Sequence, residues 1–157
     1  MNELPACLIR DAIESAAKLY DSVRHSSVTL APVTPANCLL GTFAQNVIHY
    51  ETGWRINHPN GGAPPGAVDV GPWEVKAVNG WALGLMVNLG LAKLYRPETQ
   101  FVLVYCDPPR YEVRGWTLGS NFLGNERLIR RDIRDPAYLL PVQFLRPWPL
   151  SETKGTT

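Results

Sequence analysis

The residues with the clearest chemical potential lie in one short stretch, from position 69 to position 76. Successive side chains of a β-strand point to opposite faces, so a strand over 73–78 would place Glu74 and Lys76 on the same face. The Gly71-Pro72 pair predicts a turn that folds the preceding segment back and brings Asp69 beside Glu74. We therefore expect two carboxylates and one ammonium group at one end of a sheet.

Two carboxylates in this arrangement suit a divalent cation that prefers oxygen ligands. Mg²⁺ binds one or two protein carboxylates and retains several waters. We expect Asp69, Glu74 and the main-chain carbonyl of Val75 to be its ligands, with Mn²⁺ as the alternative ion. Such an ion polarises a phosphodiester and lowers the pKa of a bound water. Lys76 would position that water or stabilise the negative charge that develops on phosphorus.

Simpler structural interpretations exist for these residues and for the aromatic ones. Glu-x-Lys on a strand often forms only an ion pair on a solvated face. The five tryptophans can stack on bases or anchor a small core, and we expect the core role for at least three of them. The triplet by itself therefore leaves the choice between catalysis and a surface ion pair open.

Two helices are predicted before the sheet that carries these residues. Apolar side chains recur at three- and four-residue intervals from Glu3 to about Arg24. The same pattern resumes after Asn37, a candidate N-cap, and runs to Gly53. A proline-containing linker over 25–35 separates the two helices.

Short β-prone runs follow a break that is rich in proline and glycine at 58–66. We predict strands over 67–70, 73–78, 84–89, 101–105 and 111–116, the last two as a hairpin. The uninterrupted apolar run at 101–105 predicts a central strand that is covered on both faces. A short charged helix is expected over 125–135. The fold class is therefore α/β or α+β, a strand meander with helices packed on a mixed or antiparallel sheet.

Asp69 and the tripeptide Glu74-Val75-Lys76 resemble the acidic residue and the ExK motif of the PD-(D/E)XK nuclease superfamily. The similarity to small phage-encoded or bacterial members extends over about residues 40–148, through the strand at 101–105, the Pro-Pro hairpin and the closing segment at 138–147. It implies the restriction-endonuclease-like fold, a mixed β-sheet flanked by helices. It also implies metal-dependent cleavage of nucleic acid, with DNA as the expected substrate and a homodimer as one expected assembly.

The chain departs from the superfamily pattern at two points. The spacing from Asp69 to Glu74 is short, and many members carry an acidic residue on the preceding helix where this chain has Gln45, with Glu51 near the end of that helix. One hypothesis is an active metal-dependent endonuclease in which Gln45 completes the site of Asp69, Glu74 and Lys76. The alternative is a catalytically inactive nuclease-fold module with a binding or structural role, such as a phage accessory protein. A third hypothesis is a protein-binding domain whose flat, aromatic-rich sheet recognises a partner.

Four arginines are spaced as one face of a helix would require: Arg127, Arg130, Arg131 and Arg134. On a helix their guanidinium groups would align and contact the phosphates of a nucleic acid. Acidic residues at 126, 132 and 135 lie among them and offer local ion pairs instead. The segment therefore predicts either a phosphate-binding stripe or a neutralised surface.

Composition limits the classes of protein that remain. The chain has 157 residues, 45% of them hydrophobic and 18% charged, with a net charge of +1. These values suit one globular domain over 1–150 with a flexible polar tail over 151–157. We expect no membrane partner and a cytoplasmic location, in a bacterium or a phage-infected cell, because no apolar run spans a bilayer and no signal-peptide plan is visible. Histidine and cysteine spacings show no zinc motif.

Overall fold

The computed structural model describes residues 1–24, 34–80 and 84–148. In these ranges the chain forms β1 (Asn2–Glu3), α1 (Ala6–Val23), α2 (Pro35–Thr52), β2 (Trp73–Val78), β3 (Gly84–Asn88), α3 (Leu89–Ala92), β4 (Gln100–Asp107), β5 (Arg110–Leu118), β6 (Ile129–Arg130) and β7 (Ala137–Pro141). Short 3₁₀ helices cover Gly119–Asn121, Glu126–Leu128 and Val142–Phe144. Nearly all of the predicted linker, Trp81 and the predicted tail lie outside the described residues.

Both predicted N-terminal helices are confirmed, with one change at the start of α2. Its N-cap is Thr34, whose side chain accepts a hydrogen bond from the Asn37 backbone N–H at 3.1 Å, so the expected cap at Asn37 was wrong. Pro35 occupies the first helical turn, where its missing N–H costs nothing. Gly53 ends the helix with a φ of 78°, which only glycine adopts readily.

A mixed four-stranded sheet forms the centre of the fold, in the order β1-β5-β4-β2. The predicted hairpin is confirmed, since β4 and β5 are antiparallel. β2 runs parallel to β4, so the strands are not a simple meander, and β1 precedes the first helix. The strand expected at 67–70 was wrong: only Val70 bridges, to Ile56 and to Trp73. β2 therefore lies at an edge of the sheet beside this irregular segment.

β3 leaves the central sheet and pairs with β7 in a second sheet of order β3-β7-β6. Parallel strands cannot be joined by a tight turn, because the chain must return to the same end of the sheet. β3 and α3 supply this crossover between β2 and β4. The second sheet was not predicted, since the strand patterns along the chain do not say which strands pair.

The central sheet is covered on both faces. The helix layer packs on one face around Val47, Ile48 and Val102, and the second sheet packs on the other around Leu85 and Phe101. This confirms that β4 is a central strand buried on both sides. In the parallel ladder Glu74 lies opposite Phe101 and Lys76 opposite Leu103. Both polar residues therefore point toward the second sheet.

The charged segment over 125–135 does not form the expected α-helix. It contains one 3₁₀ turn and β6, where Ile129 pairs with Tyr138 of β7. Sheet pairing overrides the helical spacing of the four arginines, so Arg127, Arg130, Arg131 and Arg134 do not line one helical face. Arg130 instead forms a two-pronged ion pair with Asp132, at 2.6 and 2.7 Å. Their contact with nucleic acid remains a prediction without the geometric argument that suggested it.

Candidate active site

Glu74 and Lys76 lie on the same face of β2, as the strand period predicts. Lys76 Nζ is 3.2 Å from Glu74 Oε1. Glu74 is only 5% exposed, and the Lys76 side chain 22%. The chain also contains a surface counterpart on β5, where Glu112 and Arg114 pair at 3.3 Å with side chains 49% and 35% exposed. The comparison excludes the simple surface ion pair for Glu74, because burying a carboxylate is costly.

A tight turn carries Asp69 to the free edge of β2. Trp73 exchanges backbone hydrogen bonds with Val70, at 2.8 and 3.0 Å, so the chain folds back as the Gly-Pro pair predicts. The Val75 backbone N–H then donates to Asp69 Oδ2 at 2.9 Å. The N–H and C=O of one strand residue face the same edge. The Val75 carbonyl therefore faces the edge at which Asp69 sits, as the proposed ligand set requires.

Asn57 holds this turn in place from a neighbouring segment. Its backbone N–H donates to the Asp69 carbonyl at 2.8 Å. Its side-chain amide donates to the carbonyls of Val68 and Gly71, each at 3.0 Å. We did not predict this role, and the only sequence signal is that asparagine commonly bonds to the backbone of turns.

The carboxyl groups of Asp69 and Glu74 lie within hydrogen-bonding reach of each other. The pKa of Asp69 is raised to about 7, first by burial and then by the charge of Glu74, against the opposing effects of the Val75 N–H and the Lys76 ammonium. Glu74 Oε2 is buried, and no donor within the described ranges hydrogen-bonds to it. Two carboxylates in contact need a shared proton or a cation between them. A divalent ion that takes oxygen ligands fits this arrangement.

Tyr95 fixes the other oxygen of Glu74. Its hydroxyl donates to Glu74 Oε1 at 2.8 Å, and its ring packs edge-on against Phe101 with centroids 5.2 Å apart. Lys76 Nζ lies 5.6 Å from the ring centroid. Burial and the charge of Glu74 raise the pKa of Tyr95, so the hydroxyl stays protonated and remains a donor. No local pattern marks Tyr95 in the sequence, because the crossover between β2 and β4 brings it to the site.

Gln45 reaches the site from α2, where the resemblance places a functional residue. Its Nε2 donates to Asp69 Oδ1 at 3.3 Å. The amide orients the carboxylate without adding charge. Glu51, two turns further along α2, is buried and accepts a hydrogen bond from the Tyr111 hydroxyl at 2.9 Å. Glu51 thus contacts the strand β5.

Comparison with known proteins identifies no relative of this chain. No protein-family model, curated protein or solved structure matches the chain. Among the described residues, no helix has the length and apolar character needed to cross a membrane. In the same ranges, no group of three or more histidine, cysteine, aspartate or glutamate side chains is placed to hold a metal. Any metal site here therefore depends on the two carboxylates, and Mg²⁺ needs no more than two.

Proposed function

We propose that this protein is a metal-dependent nuclease of the PD-(D/E)XK type that hydrolyses phosphodiester bonds in nucleic acid, most simply DNA. The observation that carries the proposal is the pair of Asp69 and Glu74: among the described residues no donor reaches one buried Glu74 oxygen, and an ammonium group lies 3.2 Å from the other. A merely structural carboxylate would have its oxygens satisfied by the protein. The mixed sheet with helices on one face supports the restriction-endonuclease-like fold.

Each residue of the site has a distinct task in this proposal. Asp69, Glu74 and the Val75 carbonyl would hold Mg²⁺ or Mn²⁺, and the bound ion would lower the pKa of a water and polarise the phosphodiester. Asp69 would release its proton on becoming a ligand, because a metal binds the deprotonated carboxylate. Tyr95 and Gln45 hold the carboxylates of Glu74 and Asp69 in place through their hydrogen bonds. Lys76, partly exposed, faces the negative charge that builds on the phosphate.

The second candidate is a nuclease-fold module without activity. The observation in its favour is Gln45, which brings an amide and no charge to the position that is acidic in many members of the superfamily. The module would retain the fold and the carboxyl pair and would bind nucleic acid or a protein without cleaving it. The two candidates differ in metal binding and in cleavage, and one set of variants separates them.

The test is calorimetric titration with Mg²⁺ and Mn²⁺ together with cleavage assays on plasmid DNA, single-stranded DNA and RNA. The variants are Glu74→Gln and, as the matched control, Glu112→Gln from the exposed pair on β5. We expect Glu74→Gln to lose metal binding and to cleave at least about 100-fold more slowly. Glu112→Gln should retain both. Wild-type protein that binds no metal, or cleavage that survives in Glu74→Gln, would refute the proposed nuclease activity.

A further inference from the structure

Trp54 is an exposed tryptophan that the core does not explain. Trp73, Trp116 and Trp148 form a cluster, with ring centroids 5.7 and 5.0 Å from Trp73, which confirms the core role expected for three tryptophans. Trp54 lies outside this cluster and is 54% exposed. An exposed indole leaves a large apolar ring in contact with water, and tryptophan is enriched where proteins contact ligands and partners.

The backbone of Trp54 is fixed on both sides. Its N–H donates to Thr52 Oγ1 at 3.1 Å, and its carbonyl lies 2.7 Å from His49 Nδ1. The ring rests on Gly71, where an added Cβ would lie 2.6 Å from the indole Cγ and 2.7 Å from Cδ2. Only a residue without a side chain leaves room for the ring there. The indole is thus held in one place without being buried.

This ring belongs to the same turn as the carboxyl pair. Gly71 is two residues from Asp69, and its N–H donates to the carbonyl of Arg55 at 3.0 Å. Asn57, three residues after Trp54, bonds to the Asp69 backbone at 2.8 Å. The exposed indole therefore packs on the same hydrogen-bonded turn that carries Asp69.

We propose that Trp54 is a stacking platform for an unpaired base next to the phosphate that is cleaved. This inference rests on the proposed function and names its substrate class: single-stranded nucleic acid, or a nucleotide that has left a duplex. An indole stacks on any base, and each stacked base contributes about 1–3 kcal/mol to binding. Bases inside a duplex already stack on each other, and must be extruded before an enzyme can contact their faces.

The test measures binding of labelled oligonucleotides by fluorescence anisotropy in EDTA, where no metal-dependent cleavage can occur. The probes are a single-stranded DNA, an RNA of the same sequence and a DNA hairpin with a fully paired stem. The variants are Trp54→Ala and Trp54→Tyr. Phe144→Ala, which removes an aromatic ring that is 65% exposed on the segment after β7, is the control. Circular dichroism confirms that each variant is folded.

We expect Trp54→Ala to weaken binding of a single strand about 5- to 100-fold, while Trp54→Tyr retains most of the affinity and Phe144→Ala all of it. Hairpin binding should change little. Equal single-strand affinity in wild type and Trp54→Ala would overturn the proposal, as would an equal loss for the hairpin. Calorimetry with Mn²⁺ distinguishes failure of the stacking proposal from failure of the proposed function, because Trp54→Ala should bind metal normally. Wild-type protein that binds metal and no oligonucleotide would overturn both the stacking role of Trp54 and the nuclease function.

Discussion

Two tyrosine–glutamate pairs in this protein have nearly the same geometry and, in our proposal, different roles. The Tyr95 hydroxyl donates to Glu74 at 2.8 Å, and the Tyr111 hydroxyl donates to Glu51 at 2.9 Å. Both glutamates are buried. Of these two glutamates, only Glu74 has an oxygen to which no donor in the described part of the chain hydrogen-bonds, next to a second carboxyl group. Tyr95 is therefore a positioning residue for the proposed ligand, whereas Tyr111 joins a helix to the sheet.

Phenylalanine substitutions separate these roles. We expect Tyr95→Phe to weaken Mn²⁺ binding by about 10-fold or more, because groups that orient metal ligands contribute on that scale. Tyr111→Phe should leave Mn²⁺ affinity unchanged. Each change removes a hydrogen bond to a buried glutamate and should lower the free energy of unfolding by about 1–3 kcal/mol. Calorimetry and urea denaturation measure the two effects, and an equal loss of metal affinity in both variants would contradict the assignment.

Asn57 fixes a whole turn of the structure, since its side-chain amide donates hydrogen bonds to two carbonyls of the turn that carries Asp69. We expect Asn57→Ala to reduce metal affinity about 10-fold by loosening that turn. The control is Asn88→Ala, because the Asn88 side chain also fixes a backbone turn, accepting from the N–H groups of Gly90 and Leu91.

The Asn88 variant should lose stability alone, by about 1 kcal/mol. Calorimetry and thermal unfolding of both variants measure the difference. If Asn57→Ala binds Mn²⁺ as tightly as wild type does, the turn does not depend on this amide.

Elements with a strong local pattern were predictable from the sequence. The two helices, the buried strand β4 and its hairpin partner follow from apolar spacing and turn residues, as does the shared face of Glu74 and Lys76. The pairing of strands was not predictable, because it depends on contacts distant in sequence. This is why the parallel ladder of β2 and β4, and the second sheet, were missed.

The same limit applies to the candidate site. Asp69, Glu74, Lys76 and Gln45 were found because they lie in or before one motif. Tyr95 and Asn57 were missed because the crossover and the turn bring them in from segments without a motif. The arginine stripe shows the opposite error, since helical spacing persists in a segment that the second sheet holds as a 3₁₀ turn and a strand.

At the scale of the whole molecule, the carboxyl pair makes stability depend on pH. The pKa of Asp69 rises from its ordinary 3.8 to about 7, so the folded protein holds a proton that the unfolded chain releases between these values. The unfolded state binds fewer protons there, and the free energy of unfolding contributed by Asp69 therefore falls as the pH rises from about 4 to about 7. Bound Mg²⁺ should restore stability above pH 7.

Asp69→Asn isolates this contribution. The asparagine oxygen can still accept from Val75, and its amide can donate toward Glu74. We expect the variant to be inactive and yet more stable than the metal-free wild type at pH 8, by about 1–3 kcal/mol. The difference should shrink at pH 5, and Mg²⁺ should stabilise only the wild type. Urea denaturation across this pH range is the measurement, and a variant less stable than wild type at pH 8 would contradict the prediction.

The hydrogen bond from the Val75 N–H to Asp69 Oδ2 has a second consequence, which concerns other copies of the chain. β2 is an edge strand, and exposed edges of sheets recruit foreign strands into aggregates. Asp69 and the folded-back turn occupy that edge. The carboxylate that we propose as a metal ligand thus also shields the sheet from intermolecular pairing. Replacing Asp69 by alanine would remove this shield together with activity, whereas asparagine would remove activity alone.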